Sequence, residues 1–169
     1  MIEGAIKDRQ TVKADGTLIR DTIDGVKIRE VKNILTRNGG VTTELYREEW
    51  GVGPKALRHV IHVSLQPGAI SAWHCHELQT DSIFAVRGQL KLALYDDREK
   101  SPTRGHVMVL YIGLSRPTLV DVPPGIWHGL QNVTSDVASF VNMFDFAYNY
   151  ENPDEWRLPA DSPKIPYKF

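Results

Sequence analysis

The sequence predicts an all-β protein whose strands form either a sandwich or a barrel. Short runs rich in β-branched and aromatic residues recur along the chain, and each ends at a Gly, Pro, Asn or Asp turn signal. No run longer than about ten residues carries an apolar stripe at helical spacing, so we expect little helix. So many short strands must bury their apolar faces against a second sheet or close on themselves.

The predicted strands divide the chain into a barrel and two flanking segments. At 169 residues the chain is long enough for one well-filled core, and we expect a single domain over 1–169. The barrel is expected at about 25–148, with an N-terminal arm over 1–24. A proline-rich tail over 149–169 is expected to wrap the surface or to reach a second subunit. Strands are predicted at 26–34, 41–48, 59–65, 81–86, 89–95, 106–112, 118–122 and 136–146.

Charge and hydropathy argue against two classes of partner. The 20 basic and 21 acidic residues give a net charge of -1, so the composition provides no field for a polyanion and we expect no nucleic-acid partner. Apolar runs are far shorter than the ~20 residues that span a bilayer, so we expect no membrane contact. The start, MIEGAIKDRQ, lacks the apolar stretch of a secretory signal, and Cys75 is the one cysteine, so we expect a cytoplasmic protein.

Two histidine-containing segments carry the spacing of a metal site. The first reads G-x5-H-x-H-x4-D-x6-G and contains His74, His76 and Asp81. The second reads P-x-G-x2-H-x3-N and contains His128. Because residues two apart in a strand point to the same face, His74 and His76 are predicted to present both imidazoles to one point.

These paired segments resemble the two signature motifs of the cupin superfamily, whose members are small jelly-roll barrels, also described as double-stranded β-helices. In most cupins the acid of the first motif is a glutamate, whereas this chain has Asp81. The resemblance implies an all-β cupin jelly-roll barrel with a metal site formed by His74, His76, Asp81 and His128. Such a ligand set suits a divalent ion of Zn, Fe, Mn, Ni or Cu, and we expect no organic cofactor.

A longer stretch, 25–161, is similar to the dTDP-4-dehydrorhamnose 3,5-epimerases. This resemblance implies an epimerase-like or isomerase-like enzyme that acts on a carbohydrate or sugar nucleotide and forms a homodimer. It also places His74 at the family's catalytic base and Asp161 at the acid that orients this base. The similarity is carried by 25–28, 37–40, Glu44, 87–98, 101–105, Pro123-Pro124-Gly125, His128-Gly129 and Pro153-Asp154-Glu155.

The chain departs from the epimerase pattern at the groups that handle charge and protons. Asp81 occupies the place of the family's lysine, which steadies an anionic enolate, and Asn142 occupies that of its tyrosine, for which Tyr148 is a substitute. A carboxylate beside an enolate destabilises the transition state, so we expect that the chain is not a true 3,5-epimerase. A metal held by Asp81 is expected to replace the missing cation. His74 then acts either as a ligand or as the base, because one lone pair cannot do both.

Three residues, Glu44, His62 and Asn142, are the candidate substrate-binding residues. Two other functions fit the same motifs. One is a metal-dependent cupin oxygenase. The other is a non-catalytic sugar-binding cupin that keeps the pocket and lacks the chemistry.

Overall fold

A computed structural model describes residues 2–15 and 18–169, and these residues form twelve strands and one short 3-10 turn at Glu48–Trp50. This part of the chain contains no helix with the length and hydropathy needed to span a bilayer. The strands are β1 Lys27–Glu30, β2 Asn33–Leu35, β3 Val41–Thr43, β4 His59–Leu65, β5 Ile70–Cys75, β6 Asp81–Arg87, β7 Gln89–Asp96, β8 Val107–Gly113, β9 Thr118–Val122, β10 Ile126–Asn132, β11 Ala138–Phe144 and β12 Trp156–Arg157.

Two five-stranded antiparallel sheets form the body of the protein. The first has the strand order β1-β9-β6-β11-β4, and the second has the order β12-β5-β10-β7-β8. Apart from the consecutive pair β7–β8, the neighbours in each sheet come from distant parts of the chain, as they do in a jelly roll. The predicted all-β jelly-roll fold is therefore confirmed. Strands β2 and β3 form a separate hairpin outside both sheets.

The space between the sheets is filled by alternate residues of the strands. On β7, Leu90, Leu92 and Leu94 are fully buried in this interior, as their period of two predicts. Each such side chain stabilises the fold by ~1.5–3 kcal/mol relative to an exposed one. Ala93 points to the opposite face and is buried as well, because Ile165 of the C-terminal tail packs over that face.

The observed strands differ from the predicted ones where polar motifs interrupt the apolar pattern. Both β5 and β10 were absent from the predicted strands, because histidines and small residues replace the β-branched residues that signal a strand. The predicted run 26–34 is two strands, and between them the Val31 amide donates to the Pro117 carbonyl. Within the tail, β12 pairs with the edge of β5, so the second sheet extends beyond residue 148.

Candidate active site in the barrel cavity

A cavity of about 290 Å³ opens between the two sheets. One part of its wall is apolar and is formed by residues such as Ile61, Val63 and Phe140. The other part carries titratable groups, which come from both sheets and from the C-terminal tail. An apolar cavity with a few convergent polar groups is the usual form of a small-molecule site. Its titratable lining residues include His74, His76, Asp81, His128 and Glu155.

Strand pairing brings the two sequence motifs together. In the second sheet, His74 of β5 lies opposite His128 of β10. Asp81 is the first residue of β6 in the facing sheet. His76 follows the last residue of β5, Cys75. The geometry of the site therefore depends on both sheets and on the turn that joins β5 to β6.

His74 is held by hydrogen bonds at both ring nitrogens. Its Nδ1 lies 2.9 Å from Glu155 Oε1, and its Nε2 lies 3.0 Å from Ser71 Oγ. Glu155 also pairs with Arg157 at 2.6 Å. Burial and the nearby charge of His128 lower the pKa of His74 and outweigh the opposite effect of Glu155, so His74 is neutral at pH 7. With Nδ1–H donated to the carboxylate, Nε2 carries the lone pair, and the Ser71 hydroxyl donates to it.

A second histidine group surrounds Asp81. Asp81 Oδ2 lies 3.2 Å from His128 Nε2 and 3.6 Å from His76 Nε2. The Nδ1 atoms of these histidines donate to backbone carbonyls, those of Asp154 for His76 and Ile126 for His128. Because a carbonyl only accepts, each Nδ1 carries a proton, and each Nε2 faces the carboxylate, to which it donates a hydrogen bond when it is protonated. Three acceptors at one point repel one another unless a cation, either a proton or a metal ion, lies among them.

The carboxylate of Asp81 is itself held by two amide side chains. Gln79 Nε2 donates to Oδ1 at 2.9 Å, and Asn142 Nδ2 donates to Oδ2 at 2.8 Å. Burial opposes ionisation, but the hydrogen bonds and charges of His128 and His76 lower the pKa of Asp81 well below its usual range. The donation from Nδ2 fixes the amide of Asn142, whose buried Oδ1 has no hydrogen-bond partner among the residues that the structure describes. This oxygen is an open acceptor on a residue that lines the cavity.

The group formed by His76, Asp81 and His128 fits a divalent metal ion. One ligand atom from each residue lies within 4.8 Å of the other two, and all three side chains are buried. Two imidazoles and one carboxylate are borderline ligands of the type that Zn and Fe accept. The carbonyls bonded to Nδ1 and the amides bonded to Asp81 are the outer hydrogen bonds that such ligands need.

Two of the expected roles need correction. His74 was predicted as a fourth metal ligand, but it lies outside this group because Glu155 and Ser71 engage its ring nitrogens. His74 and His76 do present their imidazoles to the same cavity, as predicted, and their ring centroids lie 5.9 and 5.5 Å from that of His128. The acid that orients His74 is Glu155 and not Asp161, which is exposed and lies outside the cavity lining.

The expected substrate-binding residues lie in different places. Asn142 lines the cavity, and Tyr148 lines it at a more exposed position. The assignment of His62 to the cavity is wrong, because the inward face of β4 carries His59, Ile61 and Val63 and leaves His62 exposed. Glu44 is also outside the cavity lining, and its exposed carboxylate pairs with Arg47 at 2.9 Å.

Sequence reasoning missed Glu155 and Gln79 as site residues. Glu155 is 81 positions from His74, and no local spacing connects the two. The one available signal was the segment Pro153-Asp154-Glu155, which resembles the epimerase family in sequence without revealing a contact. Gln79 stands two residues before Asp81, at a position that the motif leaves unspecified.

Comparisons with known proteins find relatives over most of the chain. The probable low-salt glycan biosynthesis epimerase Agl13 of Haloferax volcanii is 31% identical over 140 residues, which cover 82% of this chain and 89% of that protein. The spore coat polysaccharide biosynthesis protein SpsL of Bacillus subtilis is 33% identical over 150 residues, which cover 87% of this chain and 96% of that protein. No family model matches the chain.

Solved structures include similar folds. A dTDP sugar isomerase from Desulfovibrio desulfuricans has a TM-score of 0.80 and 26% sequence identity, with 86% of this chain and 91% of that chain covered.

Proposed function

Because the chain belongs to the dTDP-4-dehydrorhamnose 3,5-epimerase-like family of cupins, we propose that it epimerises a sugar nucleotide beside a ketone, with His74 as the base. It is thus an epimerase-like enzyme, and the proposal concerns its substrate and its residues. The single observation that carries the proposal is the neutral His74, whose Nδ1 is bonded to Glu155 while its Nε2 lone pair lies in the cavity wall.

The first step of the proposed reaction is proton removal from the carbon beside the ketone. His74 Nε2 accepts this proton when a substrate takes the place of the Ser71 hydroxyl at the lone pair. The ring then carries a positive charge, which the ionised Glu155 stabilises through the hydrogen bond at Nδ1. The electron pair of the broken C–H bond moves into an enolate, whose oxygen carries the negative charge.

The second step returns a proton to the opposite face of the same carbon. Tyr148 is the proposed donor, since it lines the cavity and has an acidic hydroxyl proton. Asn142 does not serve as the proton donor, because its Nδ2 donates to Asp81 and its remaining polar atom, Oδ1, only accepts hydrogen bonds. We assign that oxygen instead to a hydroxyl group of the sugar.

The enolate needs positive charge that the family lysine does not supply here. His76, Asp81 and His128 are proposed to hold a divalent cation of Zn, Fe, Mn, Ni or Cu. When bound, such an ion supplies a positive charge beside a carbonyl oxygen. Asp81 fixes the position of this charge, and Gln79 and Asn142 fix the direction of Asp81.

The proposal is tested by incubation with dTDP-4-keto-6-deoxyglucose and its UDP counterpart in heavy water. Thermal shift first selects the probe that binds. For that probe, deuterium is expected at the carbon beside the ketone, together with product of inverted configuration. Binding of a keto sugar without exchange at either neighbouring carbon would contradict the proposal.

A second candidate function is a metal-dependent oxygenase. Two imidazoles and one carboxylate with open positions are the ligand set of non-haem Fe(II) oxygenases, and the group around Asp81 offers this set. Oxygen uptake by the iron-loaded protein in the presence of a bound sugar nucleotide would support it. Deuterium exchange with zinc in place of iron favours the epimerase, because zinc has no redox chemistry.

We also propose a homodimer in the cytoplasm. The β2–β3 hairpin lies outside both sheets and exposes Ile34, Leu35 and Val41. Exposed apolar side chains on a short, separate hairpin favour pairing with a second copy. The unpaired thiol of Cys75 agrees with a reducing compartment. Light scattering on the purified chain tests the dimer, and Leu35→Glu is expected to shift it toward monomer.

A further inference from the structure

Two consecutive residues of the C-terminal tail, Asp154 and Glu155, contact His76 of the group around Asp81 and His74, the proposed base. The backbone carbonyl of Asp154 accepts from His76 Nδ1, and the side chain of Glu155 binds His74 Nδ1 at 2.9 Å. Any displacement of this short segment therefore affects the proposed base and the cation site together. The side chain of Asp154 takes no direct part in either contact.

The side chain of Asp154 binds the turn that follows β5. Its Oδ1 accepts from the Glu77 amide at 2.9 Å, and its Oδ2 accepts from the amides of Leu78 and Gln79 at 2.8 and 3.1 Å. Three successive amides that point at one carboxylate form an anion-binding nest. The contact joins the tail to the turn that carries His76 at one end and Gln79, the donor to Asp81, at the other.

We propose that Asp154 is a positioning residue, which aligns the imidazoles of His76 and His74 by fixing the tail against this turn. The side chain binds the turn, its own carbonyl holds His76, and the next residue holds His74. The kinetic consequence rests on the function proposed above. The effect of Asp154 on the alignment of the two imidazoles does not rest on that function. A failure of the positioning role is therefore distinguishable from a failure of the proposed function.

The same turn provides a matched control. Asp145 Oδ1 accepts from the Thr80 amide at 2.8 Å, one residue beyond the nest. Within the described part of the chain, none of its hydrogen bonds reaches His74 or His76. Asp154→Asn and Asp145→Asn both replace a carboxylate that binds backbone amides of this turn. If Asp154 only stabilises the turn, the two variants should have the same effect on the histidines.

The experiment measures the Nδ1–H protons of His74 and His76 in 1H–15N spectra of the full chain. These protons are present whether Nε2 is free, protonated or bound to a metal, so the readout does not depend on activity. In D154N we expect their exchange with solvent to be at least tenfold faster than in the wild type. In D145N we expect a change of less than twofold.

Kinetics and a second variant complete the test. With the keto sugar nucleotide that binds, D154N is expected to lower kcat about tenfold and to keep KM within threefold of the wild-type value. The reason is that alignment of the base affects the chemical step more than it affects binding. Asp154→Ser, which keeps a short oxygen acceptor, is measured alongside and replaces D154N if that variant does not fold. The proposal would be overturned if both Nδ1–H protons exchanged as slowly in the folded Asp154 variant as in the wild type. It would also be overturned if D145N accelerated their exchange as much as the Asp154 variant does.

Discussion

The cavity contains two histidine groups, which are His74 with its partners and the pair His76 and His128 around Asp81. The two groups have similar contacts at Nδ1 and different contacts at Nε2. In both groups, Nδ1 donates to an oxygen that fixes the ring, which is Glu155 for His74 and a backbone carbonyl for His76 and His128. The difference lies at Nε2. The Nε2 atom of His74 faces the Ser71 hydroxyl, whereas the Nε2 atoms of His76 and His128 face the carboxylate of Asp81.

This difference assigns separate tasks to similar side chains. A lone pair that faces a displaceable hydroxyl is available to a proton, so His74 suits general base catalysis. Two imidazole nitrogens and a carboxylate that meet in a buried site attract a cation, either a proton or a metal ion, so the group around Asp81 suits charge stabilisation. The proposed reaction gives His74 the base role and not the ligand role, because its two nitrogens are engaged outside the metal-type group.

The largest expected effect follows from removing the base. His74→Asn should lower kcat by about 10³–10⁴-fold, since it removes the proposed base, and asparagine has no group that accepts a proton at neutral pH. The measurement is the rate of inversion of the probe that binds, followed by NMR. His62→Asn is the control, because His62 is exposed on the opposite face of β4 and should retain the wild-type rate. Retention of more than a tenth of the activity by H74N would place the base elsewhere.

A smaller effect is expected from the cation site. Asp81→Asn removes the negative charge between two imidazoles, and it should lower kcat about 10²-fold through loss of charge stabilisation. Metal content after loading, measured by mass spectrometry, should fall well below stoichiometric in D81N. A D81N protein that keeps both its metal and its rate would show that the carboxylate has no such role.

The contact between Glu155 and His74 has a moderate expected effect. Glu155→Gln keeps an oxygen acceptor for Nδ1–H but loses the charge, which costs about 1–1.5 kcal/mol of hydrogen-bond strength, or about tenfold in kcat. Asp161→Asn is the matched control and should leave kcat unchanged, because Asp161 does not contact His74. A greater loss in D161N than in E155Q would reverse the assignment made here.

The smallest expected effect is a shift of a pH profile. The active form of His74 is neutral, and burial and His128 lower its pKa below the ordinary 6.5. The decline of kcat/KM with falling pH should therefore have its midpoint below 6.5. Glu155 raises this pKa, so the decline in E155Q should begin at a still lower pH. A decline centred above 6.5 in the wild type would contradict a buried neutral base.

The sequence predicted the parts of the molecule that depend on local pattern. The period of two on β7 identified Leu90, Leu92 and Leu94 as interior residues, and their burial confirms it. The resemblance of the two motifs to those of cupins implied His76, Asp81 and His128 as ligands, and the structure brings these three side chains together; whether they hold a metal stays a prediction.

Sequence reasoning missed the features that depend on where a strand ends and on which distant strands pair. Strand β5 ends at Cys75, one residue before His76, and no residue pattern marks this end. Glu155 reaches His74 because β12 pairs with β5 across 81 positions. A pairing at that distance depends on the packing of the tail over Trp73, which a one-dimensional pattern does not encode.

The separation of the two histidine groups is tested most directly by calorimetric titration of Zn²⁺ into the chelator-treated wild type, H74N and His76→Asn. Zinc is expected to bind the wild type and H74N with the same stoichiometry and with affinities within about threefold, and to bind H76N at least 100-fold more weakly. Loss of zinc affinity in H74N as great as that in H76N, or no binding to the wild type, would contradict the assignment of base and cation site to different histidines.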